Sequence, residues 1–359
     1  MVNDTFEQAL QNAINIARLA PSSHNCQPWS VHYDAATRCG EVSIDRQRAL
    51  KGLPSLEREM LMSCGIFFEY LSTLLKHSGY PLDWQWVGAR QNGSSGMLIS
   101  FAPSAPCVAD LVAYQQWVQR ISDRHTVRTA YQPTQVNEQQ QAQLYALFDR
   151  SPVTCDIKYG EATRHDVAFL TANYASLDFA DQQAWRETYH YIRFNEQQAA
   201  EDGFYLHHLF GPVSCGFRWF FRIAFHPRLS WLAKRLRLPA SMAKGLAELV
   251  VEGPQYLALS LEHESDENLF IAGMKLGQLW LMLQSWGWSL HPLSVLVQHA
   301  TARCALADTV RLTGLPVFFA RFGQHRQSGI PTPRRAWQRI LTTTQHSFSP
   351  ENGADVKQP

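Results

Sequence analysis

The sequence has few of the signatures that mark common enzyme classes. It holds no GxGxxG, no GxxxxGK(S/T), no GxSxG and no HExxH, which removes the main support for dinucleotide-fold, ATPase, lipase-type and zinc-protease readings. Its seven cysteines are odd in number and include no CxxC pair. They read as reduced thiols of a cytoplasmic protein rather than a disulfide framework, with Cys26 as a buried thiol. Charge of one sign is also missing: 32 basic and 31 acidic residues leave a net +1, so no overall field suits nucleic acid or an acidic surface. The start, MVNDTFEQ, has neither the apolar core of a secretory signal nor the arginines of a transit peptide. The longest apolar stretch, from Leu269 to Trp288, is interrupted by Lys275, Gln278, Gln284 and Ser285 and reads as a helix in a soluble core. One ExxH, Glu187 with His190, lacks the second copy and the extra carboxylates that a di-iron site needs, so no metal is expected.

What is present is apolar bulk. With 359 residues, 45% hydrophobic and 12% aromatic, the chain can bury a large core as two domains or two closely packed halves. Asp4 and Glu7 suggest a capping box before a first helix carrying Phe6, Leu10, Ala13, Ile14 and Ala17 on one face. Strand-like runs follow at 31–33 and 42–44, then a long apolar helix from Leu56 and a hairpin around Asn92 and Gly93. A helix near 111–121, one capped by Asn137, a strand VTCDIKYG, a helical region at 165–194, and strands PQYLALSLE and LPVFFARFG come next. Two long helices each end in a glycine and then a proline. This weak internal repeat divides the chain near residue 120. We expect an N-terminal half (1–119), a C-terminal half (120–345) and a flexible tail (346–359). The second half holds an insertion at about 204–247. From Gly211 to Ala247 there are five arginines, two lysines and no acidic residue, a charge of +7 that leaves −6 for the rest. Trp219, Phe220, Phe221, Phe225 and Trp231 stand among those charges. This pattern fits a lid with a flat roof of Trp219, Phe221 and Trp231, an interfacial membrane contact through 211–240, or a docked helical pair with a solvated basic face.

Three polar clusters remain. The loop APSSHNCQPW, Ala20 to Trp29, crowds hydrogen-bonding groups beside a tryptophan. In RHTVR, Arg124, Thr126 and Arg128 point the same way if the segment is extended, and two guanidinium groups flanking a hydroxyl suit a phosphate monoester. IPTPRR brings Arg334 and Arg335 in after the last expected strand. Together the clusters suggest a cofactor with an anionic end and a flat heterocyclic end.

APSSHNCQPW resembles the APSxxNxQPW loop of the nitroreductase family, flavoproteins that bind FMN at a dimer interface. RHTVR resembles that family's RxSxR phosphate motif, His291 to Ser294 (HPLS) its proline loop, and IPTPRR its basic C-terminal element, with Thr332 where lysine is common. The order departs from the family's, because here the loop precedes the arginines and each occurs once. The chain therefore resembles the Acg-like two-repeat branch, a fused pseudo-dimer with one complete site. The resemblance implies an α+β nitroreductase-like fold of antiparallel-rich sheets flanked by helices. It also implies that Arg124, Thr126 and Arg334 meet the FMN phosphate and that Arg128 lies toward the pyrimidine edge. Pro21, Ser22, Ser23 and Asn25 would fix the ring through backbone and amide bonds, while Trp29 and Gln27 would either hold the loop or touch the flavin. Pro292, Leu293 and Ser294 would offer a backbone N–H to flavin N5.

The function expected is an FMN-dependent oxidoreductase carrying electrons from NAD(P)H to a nitroaromatic or quinone, or dehydrogenating a biosynthetic intermediate. The chemistry would belong to the flavin, so no catalytic acid or base need be visible. Two other readings stand beside it: an FMN-sequestering protein with a covered flavin, and a peripheral membrane flavoprotein acting on a lipid or quinone. The chain would be a monomer or a homodimer.

Overall fold

The computed structural model describes residues 5–88, 96–177, 181–195, 200–325 and 329–344. Helix α1 (Phe6–Ala17) buries the expected face, Phe6, Leu10, Ala13, Ile14 and Ala17. Its N-cap is Thr5, whose hydroxyl accepts from the Gln8 N–H at 3.4 Å; Asp4 lies outside the described residues. The cap thus sits one residue later than the Asp4–Glu7 pattern suggested, because Thr5 has the extended backbone a cap requires.

Two sheets follow from the apolar patterning. The N-terminal sheet has the order β11-β1-β2-β4-β3, formed by β1 (Trp29–Asp34), β2 (Cys39–Ile44), β3 (Leu82–Trp86), β4 (Met97–Pro103) and β11 (Leu341–Thr344). Strands β3 and β4 pair antiparallel as the expected hairpin, whose turn at Asn92 and Gly93 lies outside the described residues. The last strand, β11, comes from the far end of the chain and pairs parallel to β1, Val31 opposite Leu341. The second sheet, β5-β8-β10-β9, is antiparallel throughout. It comprises β5 (Val153–Tyr159), β8 (Gln255–Leu261), β9 (Trp288–Pro292) and β10 (Pro316–Gln324). Every residue of β8 is buried, which accounts for its unbroken apolar run. The fold is the expected α+β type, with antiparallel-rich sheets flanked by helices.

Among the described residues, the expected helical region at 165–194 holds the helices Glu161–Tyr174 and Gln182–His190, then a two-residue strand β6 (Ile192–Arg193). Asp181 starts the second helix by accepting from the Gln183 and Ala184 N–H groups. Strand β6 pairs parallel with β7 (Phe204–Tyr205).

Helix α2 (Leu56–His77) packs against the Asp266–Ser285 helix along a seam through the molecule. At their crossing a Cβ on Gly65 would stand 2.1 Å from the Phe270 carbonyl oxygen, and one on Gly273 would stand 2.1 Å from that of Met62. The contact is reciprocal, each glycine facing the residue three before the other. Only glycine lets the two backbones come so close. One continuous core spans this seam, from Leu10, Trp29 and Phe67 to Leu276, Trp280 and Trp288. Among the described residues no helix is long and apolar enough to cross a membrane.

Candidate functional site

The loop after α1 is held in an uncommon conformation. His24, Asn25 and Gln27 all lie in the left-handed region, at φ of 50°, 54° and 51°, at a cost of about 1–3 kcal/mol each. Buried hydrogen bonds offset it. Gln27 receives the Arg335 N–H at 2.9 Å and donates to the Glu201 carbonyl at 2.8 Å. Asn25 donates to the carbonyls of Gly203 at 2.9 Å and Pro333 at 2.7 Å. Trp29 anchors the exit by stacking on Phe67 of α2 with 4.9 Å between ring centroids. Burial pushes the Cys26 thiol up to about 12, so it is an inert packing residue.

This loop forms one wall of a cavity of about 370 Å³ beside the seam between α2 and the Asp266–Ser285 helix, within the range typical of small-molecule sites. Pro21, Ser22, Ser23, Asn25, Arg124, Thr126, Arg128, Pro292, Ser294 and Arg334 all line it. Gln27 and Leu293 do not: Gln27 is wholly buried holding the loop, and Leu293 packs into the core beneath. The Asn25 amide is also spent within the protein, since its oxygen accepts from Arg334 at 2.6 Å. Its place is to join the loop to the Arg334 segment. In the proline loop the Leu293 N–H donates to the Phe319 carbonyl at 2.9 Å and Pro292 has no N–H, which leaves Ser294 as the backbone donor at the cavity wall.

One end of the cavity is strongly cationic. Arg124, 4% exposed, donates to the Leu19 carbonyl at 3.2 Å, and Arg334 donates to the same oxygen at 3.2 Å. Neither forms an ion pair among the described residues, and Nε and Nη1 of Arg124 and Nε of Arg334 are buried without a partner. Burial, then the charges of Arg124 and Arg18, pull Arg334 down to about 9. Two like charges sharing one neutral acceptor, with donors left over, make a site that an anion completes. The Trp280 ring lies 4.8 Å from the Arg124 guanidinium carbon and adds a cation–π contact. Arg335 differs: it pairs with Asp45 at 3.0 Å and donates to the Trp29 carbonyl, so it braces the N-terminal sheet.

A second pair of cations lies deeper. Burial pulls Arg128 down to about 10, and the neighbouring Arg321 charge adds to this. Arg321 is fully buried and donates through Nε to His291 Nδ1 at 2.9 Å. His291 therefore accepts at Nδ1, and burial holds its imidazole neutral. Among the described residues no group of His, Cys, Asp and Glu could hold a metal ion. Glu187 of the ExxH accepts from the N–H groups of Lys51 and Gly52, so it fastens a loop.

The insertion closes the cavity from outside. Phe204, His208, Leu209, Phe221 and Met242 line it, beside Trp185 and Ile192. Arg128 roots this cover by donating to the His208 carbonyl at 3.1 Å, and His208 Nε2 reaches the Pro331 carbonyl at 3.1 Å. Burial lowers the His208 imidazole to about 4. Of the three aromatics expected to roof the cavity, only Phe221 does so. Trp219 and Trp231 are 70% and 63% exposed, because the Cys215–Ala224 helix turns Phe217 and Phe221 inward and its opposite face outward.

Sequence reasoning missed Glu59, Gln298 and Trp280. Glu59 lines the cavity, accepts from Gln298 at 2.7 Å and is bonded to Ser23. A carboxylate on the inward side of an apolar helix is a signal that periodicity alone supplies. Trp280 and Gln298 carry no local signal.

No family model matches the chain. Solved structures similar to it include an FMN-dependent nitroreductase, NfnB, from Mycobacterium smegmatis in complex with NADPH, at 14% identity and a TM-score of 0.37, over 68% of this chain and 99% of that one. A nitroreductase-like family protein from Bacillus cereus is 12% identical with a TM-score of 0.36, over 62% and 91%. An FMN- and NADPH-dependent NfnB from sphigopyxis sp. strain HMH is 13% identical with a TM-score of 0.39, over 63% and 98%. At these scores the likeness carries no weight on site or activity, which rest on the geometry above.

Proposed function

We propose that the chain is an FMN-dependent oxidoreductase that passes electrons from NAD(P)H to an electron-poor acceptor such as a nitroaromatic or a quinone. The observation that carries this reading is the pair Arg124 and Arg334, buried at one end of the cavity with donors unspent and no carboxylate partner among the described residues. A phosphate monoester supplies what that end lacks. The walls beyond it suit a flat ring. Pro21 to Asn25 stand on one side, Ser294 on another, and Arg128 brings positive charge. FMN, when bound, supplies hydride and single-electron chemistry. This chain's residues bind its phosphate, hold its ring and exclude water beneath Phe204, Leu209 and Phe221. We also infer a two-repeat pseudo-dimer with halves at 1–119 and 120–345. The reciprocal Gly65–Gly273 crossing supports it, as does a cavity whose loop comes from one half and whose arginines come from the other.

The test is the absorption spectrum of purified protein supplied with FMN, followed by anaerobic addition of NADPH or NADH and then a quinone. Bound flavin that bleaches and recovers is the expected result. Failure to retain FMN overturns the cofactor assignment, while flavin that is retained but bleaches only with dithionite overturns the NAD(P)H assignment and favours sequestration.

A further inference from the structure

The outer face of the cover is as distinctive as its inner face. On the Cys215–Ala224 helix, Phe221 points to the cavity while Trp219, Phe220 and Ile223 are exposed. The next helix, Ser230–Arg235, adds exposed Trp231, and Leu236 follows it. Trp219, Ile223 and Leu236 border one shallow apolar groove between the two helices. Large apolar side chains exposed together mark a surface that meets something. Near them in the chain are Arg222, Arg228, Arg235 and Arg237, all exposed, in a segment that has no acidic residue from Gly211 to Ala247.

We propose that this face docks on an anionic lipid bilayer. Tryptophan and phenylalanine beside arginine and lysine on short amphipathic helices match the lipid boundary: the rings enter the headgroup region and the cations meet lipid phosphates. A protein partner fits less well. An acidic partner answers the seven cations but leaves the exposed tryptophans to be covered separately, whereas an anionic bilayer meets both at one boundary. The remainder of the chain carries −6, so the positive segment also orients the molecule, cover first, toward a negative surface. Docking of this kind is peripheral, and among the described residues no helix is long and apolar enough to span. It places the cover of the cavity against the membrane. The inference does not depend on FMN.

The test is flotation of the full chain with vesicles of phosphatidylcholine alone and of phosphatidylcholine with 30% phosphatidylglycerol, in about 0.05 M and 0.5 M salt, with tryptophan emission read alongside. Binding to the anionic vesicles, a blue shift, and at least a tenfold loss of binding in high salt or on pure phosphatidylcholine are expected. Trp219→Ser/Trp231→Ser and, separately, Arg235→Glu/Arg237→Glu should each weaken binding at least tenfold with an unchanged melting temperature, since all four side chains are exposed. No binding to anionic vesicles overturns the proposal. So does binding that both double variants retain, or a dimer in sedimentation that Trp219→Ser/Trp231→Ser dissolves, which would assign the face to a second copy of the chain.

Discussion

Replacing Arg124 by methionine tests the anion-binding end with least disturbance to packing. Methionine keeps an unbranched apolar stem against Trp280 and removes the charge and five donors. Among the described residues one of those donors reaches a protein acceptor, Leu19 O at 3.2 Å, while Nε and Nη1 are buried without a partner there. A hydrogen bond to a charged group contributes about 1.5–3 kcal/mol. Two such bonds to a phosphate, less the relief of repulsion between Arg124 and Arg334, put the loss at about 2–4 kcal/mol, or roughly 30- to 700-fold in Kd. Riboflavin has no phosphate and should bind both proteins alike. Titration of each flavin into flavin-free wild type and variant, followed by quenching of flavin fluorescence, gives the ratio. A preference for FMN over riboflavin that survives Arg124→Met refutes the assignment. Arg335→Met is the control, because its side-chain partners are Asp45 and Trp29: losing a buried arginine from that part-buried pair should cost about 1–3 kcal/mol of stability with the flavin preference intact.

Four other outcomes are expected. Released flavin measured against protein should give one FMN per chain, and two, or FAD in its place, would break the pseudo-dimer argument. Gly273→Ala ordinarily stabilises a helix interior by about 1 kcal/mol, but its methyl would meet the Met62 carbonyl oxygen, so urea unfolding should show a loss of about 1–3 kcal/mol. Burial lowers His24 from 6.5 to about 4. Between those pH values the unfolded chain takes up a proton that the folded chain refuses, so stability should fall with falling pH by about 1–3 kcal/mol. His24→Asn, which tolerates φ of 50°, should flatten that slope in melts across pH 4–7. Replacing residues 212–237 by a Gly/Ser linker, with His208 and its bond to Arg128 kept, should leave FMN bound and speed reoxidation by a bulky quinone about tenfold in stopped flow; unchanged rates would remove the lid role.

What the sequence made legible follows from how local each signal is. The inward face of α1, the long apolar helix α2, the buried run of β8 and the Asn137 cap depend on neighbours within a few residues, and all stand as expected. The pairing of β11 with β1 joins Leu341 to Val31, and LTTT has no apolar pattern to announce a strand, so nothing nearby foretold it. The site shows the same division. Ten of the residues singled out from four separate stretches line one cavity, because the polar clusters were conspicuous against an apolar chain. How each one acts was less visible. Asn25 looks like a ligand-facing amide in sequence and Gln27 like one that holds the loop or touches the ligand, yet both are occupied by backbone groups from Glu201 to Gly203 and Pro333 to Arg335. Those partners lie about 175 and 310 residues away along the chain, and no local rule reaches that far.

These distant ties explain why the loop is so unlike a surface turn. Three non-glycine residues with positive φ and two buried guanidinium groups without carboxylates each cost free energy in the ligand-free protein. Both costs fall at one place, where Arg334 binds Asn25 and shares Leu19 O with Arg124. The loop conformation and the arginine cluster are therefore one device, since Asn25 can hold Arg334 only while the loop stays in its strained form. An anion bound there would repay the electrostatic cost and, through Arg334 and Asn25, would hold the loop. The wall contributed by the loop at Pro21–Asn25 is thus set by the charge gathered from Arg124 and Arg334, about 100 and 310 residues further along the chain.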